Sequence, residues 1–390
     1  MIGNEIKKIW NIRTAVFLFI LGGTFFYDWI LGQMNMEHLP LFENVDVKLG
    51  TDLLKRFGNS VDSAEMEQVA MLNETAKRDF DQNVKAAYPQ LNEMGFKSFE
   101  ELERCLSEAD LEEMESQEYK AMDELYGQIR QEFELELESI NYYSSMIGKR
   151  ETQAGAARSY GAGGMKVNAV KRIQNITKRS ELSVLPDSVN MNMSYVIQGF
   201  CRITMYLVLI LVLPYVAFDN KSNVYPVAAS TKHGRNIIKT QLWSMLVGML
   251  PLLAVCDIAL YAAYTLYTPY AVFNHCMVEY LWFDLSQIQY FWIQVIVCNL
   301  IVMSLALLFF FASSFCRTIV GTIVMAIPCW GLGETIILFC VDDMLSCSLL
   351  TDSVMVCFKY GIVIIIAALF MVGIFCINRL IRYRLHADIL

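Results

Sequence analysis

The sequence predicts an all-α integral membrane protein, with six transmembrane helices and a large helical extracytoplasmic domain between the first and the second of them. Composition gives the first reason. The 390 residues are 55% hydrophobic and only 18% charged, whereas a soluble domain has about 25% charged residues. Distribution gives the second, because the apolar residues are gathered into runs of the ~20 residues that a helix needs to cross a bilayer.

Six apolar runs are long enough to span. They cover Ile12–Leu31, Tyr195–Ala217, Ile237–Leu266, Ile288–Ser313, Thr318–Val341 and Val354–Ile377. The first follows two lysines, as in a signal peptide, but it is long for the apolar region of such a peptide and no small-residue cleavage site follows. We therefore expect an uncleaved anchor, and a division of the chain into 1–32, 33–194 and 195–390.

Basic residues in the short flanks predict the orientation. With the N-terminus inside, eleven Lys and Arg residues face the cytoplasm, while the short outer loops 267–287 and 342–353 contain none. Because cytoplasmic loops carry an excess of Lys and Arg, the sequence predicts a multi-pass protein of the plasma membrane with both termini cytoplasmic. Residues 33–194 are then extracytoplasmic.

The outer region 33–194 holds 18 basic and 29 acidic residues and no apolar run able to span. Apolar residues at helical spacing predict amphipathic helices from Met122 to Ile140 and from Met66 to Val84. A solvated stalk and a domain that contacts a substrate or partner both fit this pattern. The Gly/Ala-rich segment 154–166 lacks the order of residues of a phosphate-binding loop and predicts a hinge or a close-packing loop. The acidic net charge of −9 argues against a nucleic-acid partner.

The loop between the second and third runs, 218–239, is the most informative stretch. A basic loop of this kind also follows from the orientation rule alone. Its pattern nevertheless resembles the inner loop of ABC-2 type transporter permeases, in which an acidic residue is followed by small residues, a Ser/Thr-Lys-x-Gly-Arg element and a further Lys. The matching residues are Asp219, Ser230, Thr231, Lys232, Gly234, Arg235 and Lys239.

The order of the parts, an anchor, a large outer domain and five clustered spans, also resembles this family. The resemblance implies an exporter subunit that pairs with a second permease copy, as a homodimer or pseudo-dimer. It also implies that a separate ABC ATPase binds the 218–239 loop, as a coupling helix, and the N-terminal segment. The chain has no Walker A motif, so ATP and Mg²⁺ are expected on the partner subunit and no cofactor on this chain. Residues 1–13 are amphipathic, as expected of a helix at the membrane surface in contact with lipid.

Four ionisable residues lie inside the apolar runs, at a cost of about 2.5–3.5 kcal/mol each on insertion scales. They are Arg202, Asp257, Glu334 and Lys359. Helical rise places all four in the outer third of the membrane. We expect Asp257 or Glu334 within salt-bridge distance of Arg202 or Lys359, either as a packing contact or as the polar lining of an exit route or gate.

The sequence therefore predicts a transport subunit and not an enzyme. It contains no catalytic motif of a metalloprotease or a serine hydrolase and no Cys/His spacing for a metal. The alternative is a membrane-anchored sensor or scaffold whose outer helices bind a peptide or an envelope component. That protein would leave the inner loop free of an ATPase.

Overall fold

The computed structural model describes residues 2–31, 45–108, 117–162, 171–172, 174–175, 178–179, 181–221, 237–266, 269–278, 281, 283–316, 318–338 and 361–387. The chain divides into two compact units. Met1–Phe42 and Asp187–Leu390 form the first unit, and Glu43–Pro186 form the second. The second unit lies within the range 33–194 of the predicted outer domain.

Helices make up most of the described residues. In chain order they are α1 (Ile2–Ile9), α2 (Ile12–Phe25), α3 (Val45–Phe57), α4 (Ser63–Ala87), α5 (Gln90–Glu93), α6 (Phe99–Glu108), α7 (Gln117–Glu132), α8 (Glu134–Ala162), α9 (Asp187–Lys221), α10 (Ile237–Leu266), α11 (Gln287–Ser313), α12 (Ile319–Ile337) and α13 (Gly361–Ala387). A π-helical turn, Phe26–Leu31, continues α2, and a 3₁₀ turn, Pro269–Phe273, follows α10.

Five helices of the first unit are long and apolar enough to cross a membrane. They are Asp187–Tyr215, Ile237–Leu266, Gln287–Ser313, Val320–Ile337 and Val363–Arg382, which correspond to the last five predicted runs. The first predicted run forms α2 and the π-helical turn, and it meets the same criterion only together with α1, as a pair bent by 51°. The structure therefore indicates an all-α, multi-pass membrane protein. The number of spans and the location of the second unit outside the cell stay predictions.

The bend between α1 and α2 is set by a capping residue. Asn11 has an extended backbone, and its side-chain oxygen accepts a hydrogen bond from the backbone N–H of Thr14. Asparagine is favoured at this position because a helix begins with N–H groups that lack a partner within the helix. A new helix, α2, therefore begins at Ile12 and is not continuous with α1.

Two helices form the centre of the first unit. Most of the span of α9 and of α11 is buried, and these two helices pack on each other. α12 packs on both, and α13 packs on α11. α11 is apolar around its whole circumference, which is typical of a helix surrounded by other helices.

The segment between α10 and α11 folds back onto both helices. The Tyr264 hydroxyl donates a hydrogen bond to Asn274 at 2.6 Å, and its ring stacks on Phe291 with centroids 4.5 Å apart. The backbone N–H of Gln287 donates to the carbonyl of Cys276 at 2.9 Å. The aromatic residues that crowd this segment thus serve to pack it against the helix ends.

The second unit has two apolar cores, and α4 runs through both. The first core joins the end of α4 to α5, α6 and α7 through Phe80, Val84, Leu91, Phe99, Leu102, Leu106, Leu125 and Ile129. The second core joins the start of α4 to α3 and α8 through Leu53, Val61, Val69, Tyr142, Met146 and Val184. The predicted amphipathic helix from Met66 to Val84 is confirmed as part of α4.

The two ends of the second unit meet in a small sheet. β1 (Ser60–Val61) pairs with β2 (Leu182–Ser183) in antiparallel fashion, with Val61 opposite Leu182. Strands of two residues leave no alternation in a sequence, so this sheet was not predicted. The sheet joins the connection between α3 and α4 to the segment that ends the unit.

The first nine residues of the Gly/Ala-rich segment, 154–162, are helical and not the predicted hinge or close-packing loop, and 163–166 lie outside the described residues. α8 continues to Ala162, so the backbone from Ala154 to that residue is helical. Three of the four residues from Ala154 to Ala157 are alanine, the residue with the highest helix propensity. Gly155 and Gly161 cost about 1 kcal/mol each, and such isolated glycines need not end a long helix.

Glu138 of α8 gives the second unit an expected pH dependence. Partial burial, with the nearby carboxylates of Glu134 and Asp46, raises the pKa of the Glu138 carboxyl above its usual value. A raised folded-state pKa contributes stability in acid that is lost as pH rises through that pKa. We expect Glu138→Gln to slow hydrogen exchange of α8 at about pH 8 and to change it little at about pH 4, after correction for intrinsic rates. The matched control is Glu136→Gln, at an exposed position of α8; equal effects of the two variants would contradict this explanation.

Candidate functional site

An ion pair joins two of the predicted membrane helices. Nε of Arg202, on α9, lies 3.0 Å from a carboxylate oxygen of Glu334, on α12. The two side chains are only 17% and 21% exposed. The predicted contact between Glu334 and Arg202 is therefore present, and it removes much of the cost of placing either charge within an apolar helix.

Two neutral side chains complete this polar contact. The Tyr206 hydroxyl donates to the second oxygen of Glu334 at 2.6 Å, and Arg202 also donates to the side-chain oxygen of Gln198 at 3.1 Å. Gln198, Arg202 and Tyr206 are four residues apart along α9 and therefore share one face. Gln198 and Tyr206 were not predicted as part of this contact, although their spacing from Arg202 is visible in the sequence.

A glycine lets α9 and α12 approach at this contact. A Cβ atom placed on Gly333 would lie 2.5 Å from the sulfur of Met205. Pro328 lies inside α12, less than two turns before Glu334, and its missing N–H interrupts the hydrogen bonding of that helix. The ion pair thus fixes the part of α12 that follows a proline.

Glu334 meets the prediction of a salt bridge for Asp257 or Glu334, and Asp257, on α10, binds an amide. Both of its carboxylate oxygens accept hydrogen bonds from the side-chain amide of Asn299 on α11, at 3.0 and 2.9 Å. Within the described part of the chain Asp257 makes no ion pair, so the four predicted charges include one charged pair and one acid bound to an amide. Lys359 lies outside the described residues. An amide is not conspicuous within an apolar run, which is why Asn299 was missed.

The predicted ATPase-binding loop falls largely outside the described residues. This holds for Ser230, Thr231, Lys232, Gly234 and Arg235. The backbone of Asp219 belongs to the last turn of α9, and Lys239 is exposed in the first turn of α10. The structure therefore describes the two helix ends on either side of the loop.

The amphipathic N-terminal helix packs on these same two helices. The Tyr215 hydroxyl of α9 donates to Glu5 of α1 at 2.8 Å. The indole N–H of Trp10 donates to the backbone carbonyl of Gly248 on α10 at 2.7 Å, next to the position where Pro251 disturbs the helix. A Cβ atom on Gly248 would lie 3.1 Å from the end of the Ile9 side chain, so Ile9 packs closely on the backbone of α10 at this glycine.

Two cavities lie beside α2. One, of about 310 Å³, is almost wholly apolar and is bordered by α2, α9 and α10. The other, of about 320 Å³, is bordered by the end of α1, the start of α2 and the last part of α9, and it is the more polar of the two. Neither cavity contains Arg202, Glu334 or Asp257 among its lining residues.

Comparisons with family models, with curated proteins and with solved structures found no match to this chain.

Proposed function

We propose that this chain is the membrane-spanning permease subunit of an ATP-driven exporter of the ABC-2 type. It couples to a separate ATPase through residues 218–239. The position of α1 is the observation that supports this proposal best. Glu5 and Trp10 attach α1 to α9 and α10, the two helices that flank the loop. In the family that the sequence resembles, the N-terminal segment and this loop act together on the ATPase.

The ion pair between Arg202 and Glu334 supports a transport role in a second way. An isolated packing contact in a membrane is more cheaply made from apolar or small residues than from charges. Charged residues in membrane helices often mark a route or a switch. This pair joins α9, which leads directly into the coupling loop, to α12 beyond its proline. A movement of α9 driven by the ATPase would therefore reach α12 through this contact.

Substitution within the loop tests the coupling. We expect Arg235→Ala to reduce the binding of the ATPase subunit by about tenfold, equivalent to about 1.4 kcal/mol. The reason is that the loop loses a cation that contacts the ATPase. The measurement is co-purification of a chain with a Walker A motif from the native membrane, followed by its rate of ATP hydrolysis. The control is Arg104→Ala, which removes an exposed arginine from α6.

Two results would reject the proposal. The first is that no ATPase with a Walker A motif accompanies the wild-type chain. The second is that Arg104→Ala and Arg235→Ala weaken its binding equally. The first result would favour the sensor or scaffold, whose ligand would then be sought on the second unit.

A further inference from the structure

The two cavities beside α2 follow one another along α2 and α9, and we call the two together the furrow. The lining residues of α2 follow steps of three and four, which is the spacing of a single helix face. They are Asn11 and Thr14 in the polar cavity, and then Ala15, Leu18, Gly22 and Phe26 in the apolar one. α9 contributes a matching face in the opposite direction, with Pro214, Leu211 and Ile210 followed by Leu207, Ile203 and Phe200.

The furrow has the length of one leaflet of a bilayer. From Tyr215 to Phe200, α9 advances by about 22 Å at 1.5 Å per residue. A bilayer measures about 40–45 Å with its headgroups, so one leaflet measures about half of this. Because α2, α9 and α10 are apolar helices of the membrane unit, the open side of the furrow faces lipid.

Polarity changes along the furrow from one end to the other. Lys8, Asn11 and Thr14 lie at the end near Tyr215. The lining of the remaining length is apolar except for Thr204 and Cys256. A peptide has backbone N–H and C=O groups that this lining cannot satisfy with hydrogen bonds. A hydrocarbon chain has no such groups.

The polar end is suited to a negative group. The Lys8 ammonium is 46% exposed while it bonds to Glu5 at 2.8 Å. The second oxygen of Glu5 accepts from Tyr215, and the Glu5 side chain is only 13% exposed. The negative charge is thus turned inward, and the positive charge of Lys8 and that of the neighbouring, exposed Lys7 face outward.

We propose that this furrow binds one anionic glycerophospholipid, with an acyl chain between α2 and α9 and the phosphate at Lys8. The leaflet is the one on the side of the N-terminal helix. This lipid fills the gap between α2 and α9, so it holds α2 against the rest of the first unit. The proposal does not depend on an ATPase or on transport.

Filling the apolar section tests the proposal. Gly23 lines the furrow, and a Cβ atom placed on it meets nothing within 4 Å, so Gly23→Leu extends a side chain into the furrow from a position where its first atom displaces no protein atom. Gly331 of α12 is equally open but does not line the furrow. The probe is phosphatidylglycerol, added to the delipidated full chain in detergent and observed by native mass spectrometry. We expect Gly23→Leu to lose the one-lipid complex and Gly331→Leu to keep it.

The polar section is tested by the headgroup. The wild-type chain should retain phosphatidylglycerol in preference to phosphatidylcholine when both are present. Lys8→Gln should abolish this preference, while Lys120→Gln, at an exposed lysine of α7, should leave it unchanged. Equal retention of phosphatidylglycerol by Gly23→Leu and the wild-type chain would overturn the proposal. So would an unchanged headgroup preference in Lys8→Gln, since Lys8 is at the surface and its loss should not disturb folding.

Discussion

Replacing Arg202 by Gln is expected to destabilise the first unit by about 3–5 kcal/mol, the usual cost of removing one partner of a buried ion pair. The Glu334 carboxylate, which lies between apolar helices, then loses the cation that is 3.0 Å away. Its hydrogen bond from Tyr206 remains, at 2.6 Å. A single hydrogen bond to a charged group contributes about 1.5–3 kcal/mol. The bond from Tyr206 is present in both proteins, so it does not replace the lost ion pair. The measurement is the thermal unfolding midpoint of the full chain in detergent.

The double variant Arg202→Gln/Glu334→Gln separates charge from packing. It removes both charges together, so its midpoint should return most of the way to that of the wild-type chain. Lys239→Gln, which removes an exposed cation from α10, is the control and should change the midpoint little. If the double variant is as unstable as the sum of the two single variants, the two side chains are not energetically coupled and the ion pair does not join α9 to α12.

The sequence predicted a salt bridge among four charged residues, and the structure shows which two form it. Arg202 lies about seven residues after the start of its run and Glu334 about seven residues before the end of its run, so both were expected near the outer face, where pairing of opposite charges lowers the cost of burying them. The partner of Asp257 was not predictable by the same logic. Asn299 carries no charge, and depth alone does not say which helices are neighbours.

The fold was predictable to a similar degree. Apolar runs define membrane helices because a bilayer leaves the backbone few alternatives, and five runs have corresponding helices. Contacts between segments that are distant in the chain were not predictable from the sequence. The attachment of α1 to Gly248 depends on a single carbonyl, and the pairing of Val61 with Leu182 depends on two-residue strands. Neither leaves a repeated pattern of residues.

α9 keeps its polar and apolar contacts on opposite faces. Gln198, Arg202 and Tyr206 are spaced by four residues and lie within about 80° of one another around the helix, at 3.6 residues per turn. Phe200 and Leu207, which line the furrow, lie about 160° and about 140° from Arg202 around the helix. One helix can therefore hold the ion pair to α12 and border the furrow beside α2, and a lipid in the furrow does not compete with Glu334 for Arg202.

Gly373→Ala is expected to give the second large loss of stability, through packing alone. Small residues in membrane helices let two backbones approach closely. A Cβ atom on Gly373 of α13 would lie 2.9 Å from Cβ of Leu307 on α11. A Cβ atom is fixed to its backbone, so a side-chain rotation cannot relieve this overlap and the two helices must separate. Overpacking of this kind costs about 1–3 kcal/mol, and the expected result is a lower thermal unfolding midpoint of the full chain.

Gly331 and Gly333, both in α12, extend this prediction to a series of three glycines with different expected losses. At Gly333 the overlapping atom is the sulfur of Met205, near the end of a flexible side chain, so Gly333→Ala should cost less than Gly373→Ala. At Gly331 nothing lies within 4 Å, so Gly331→Ala should be neutral or slightly stabilising, since alanine favours a helix over glycine. The thermal unfolding midpoint should therefore be lowest for Gly373→Ala, higher for Gly333→Ala and highest for Gly331→Ala. A loss at Gly331 equal to that at Gly373 would mean that the flexibility of the glycine backbone, and not the approach of α11 and α13, is what the membrane helices require.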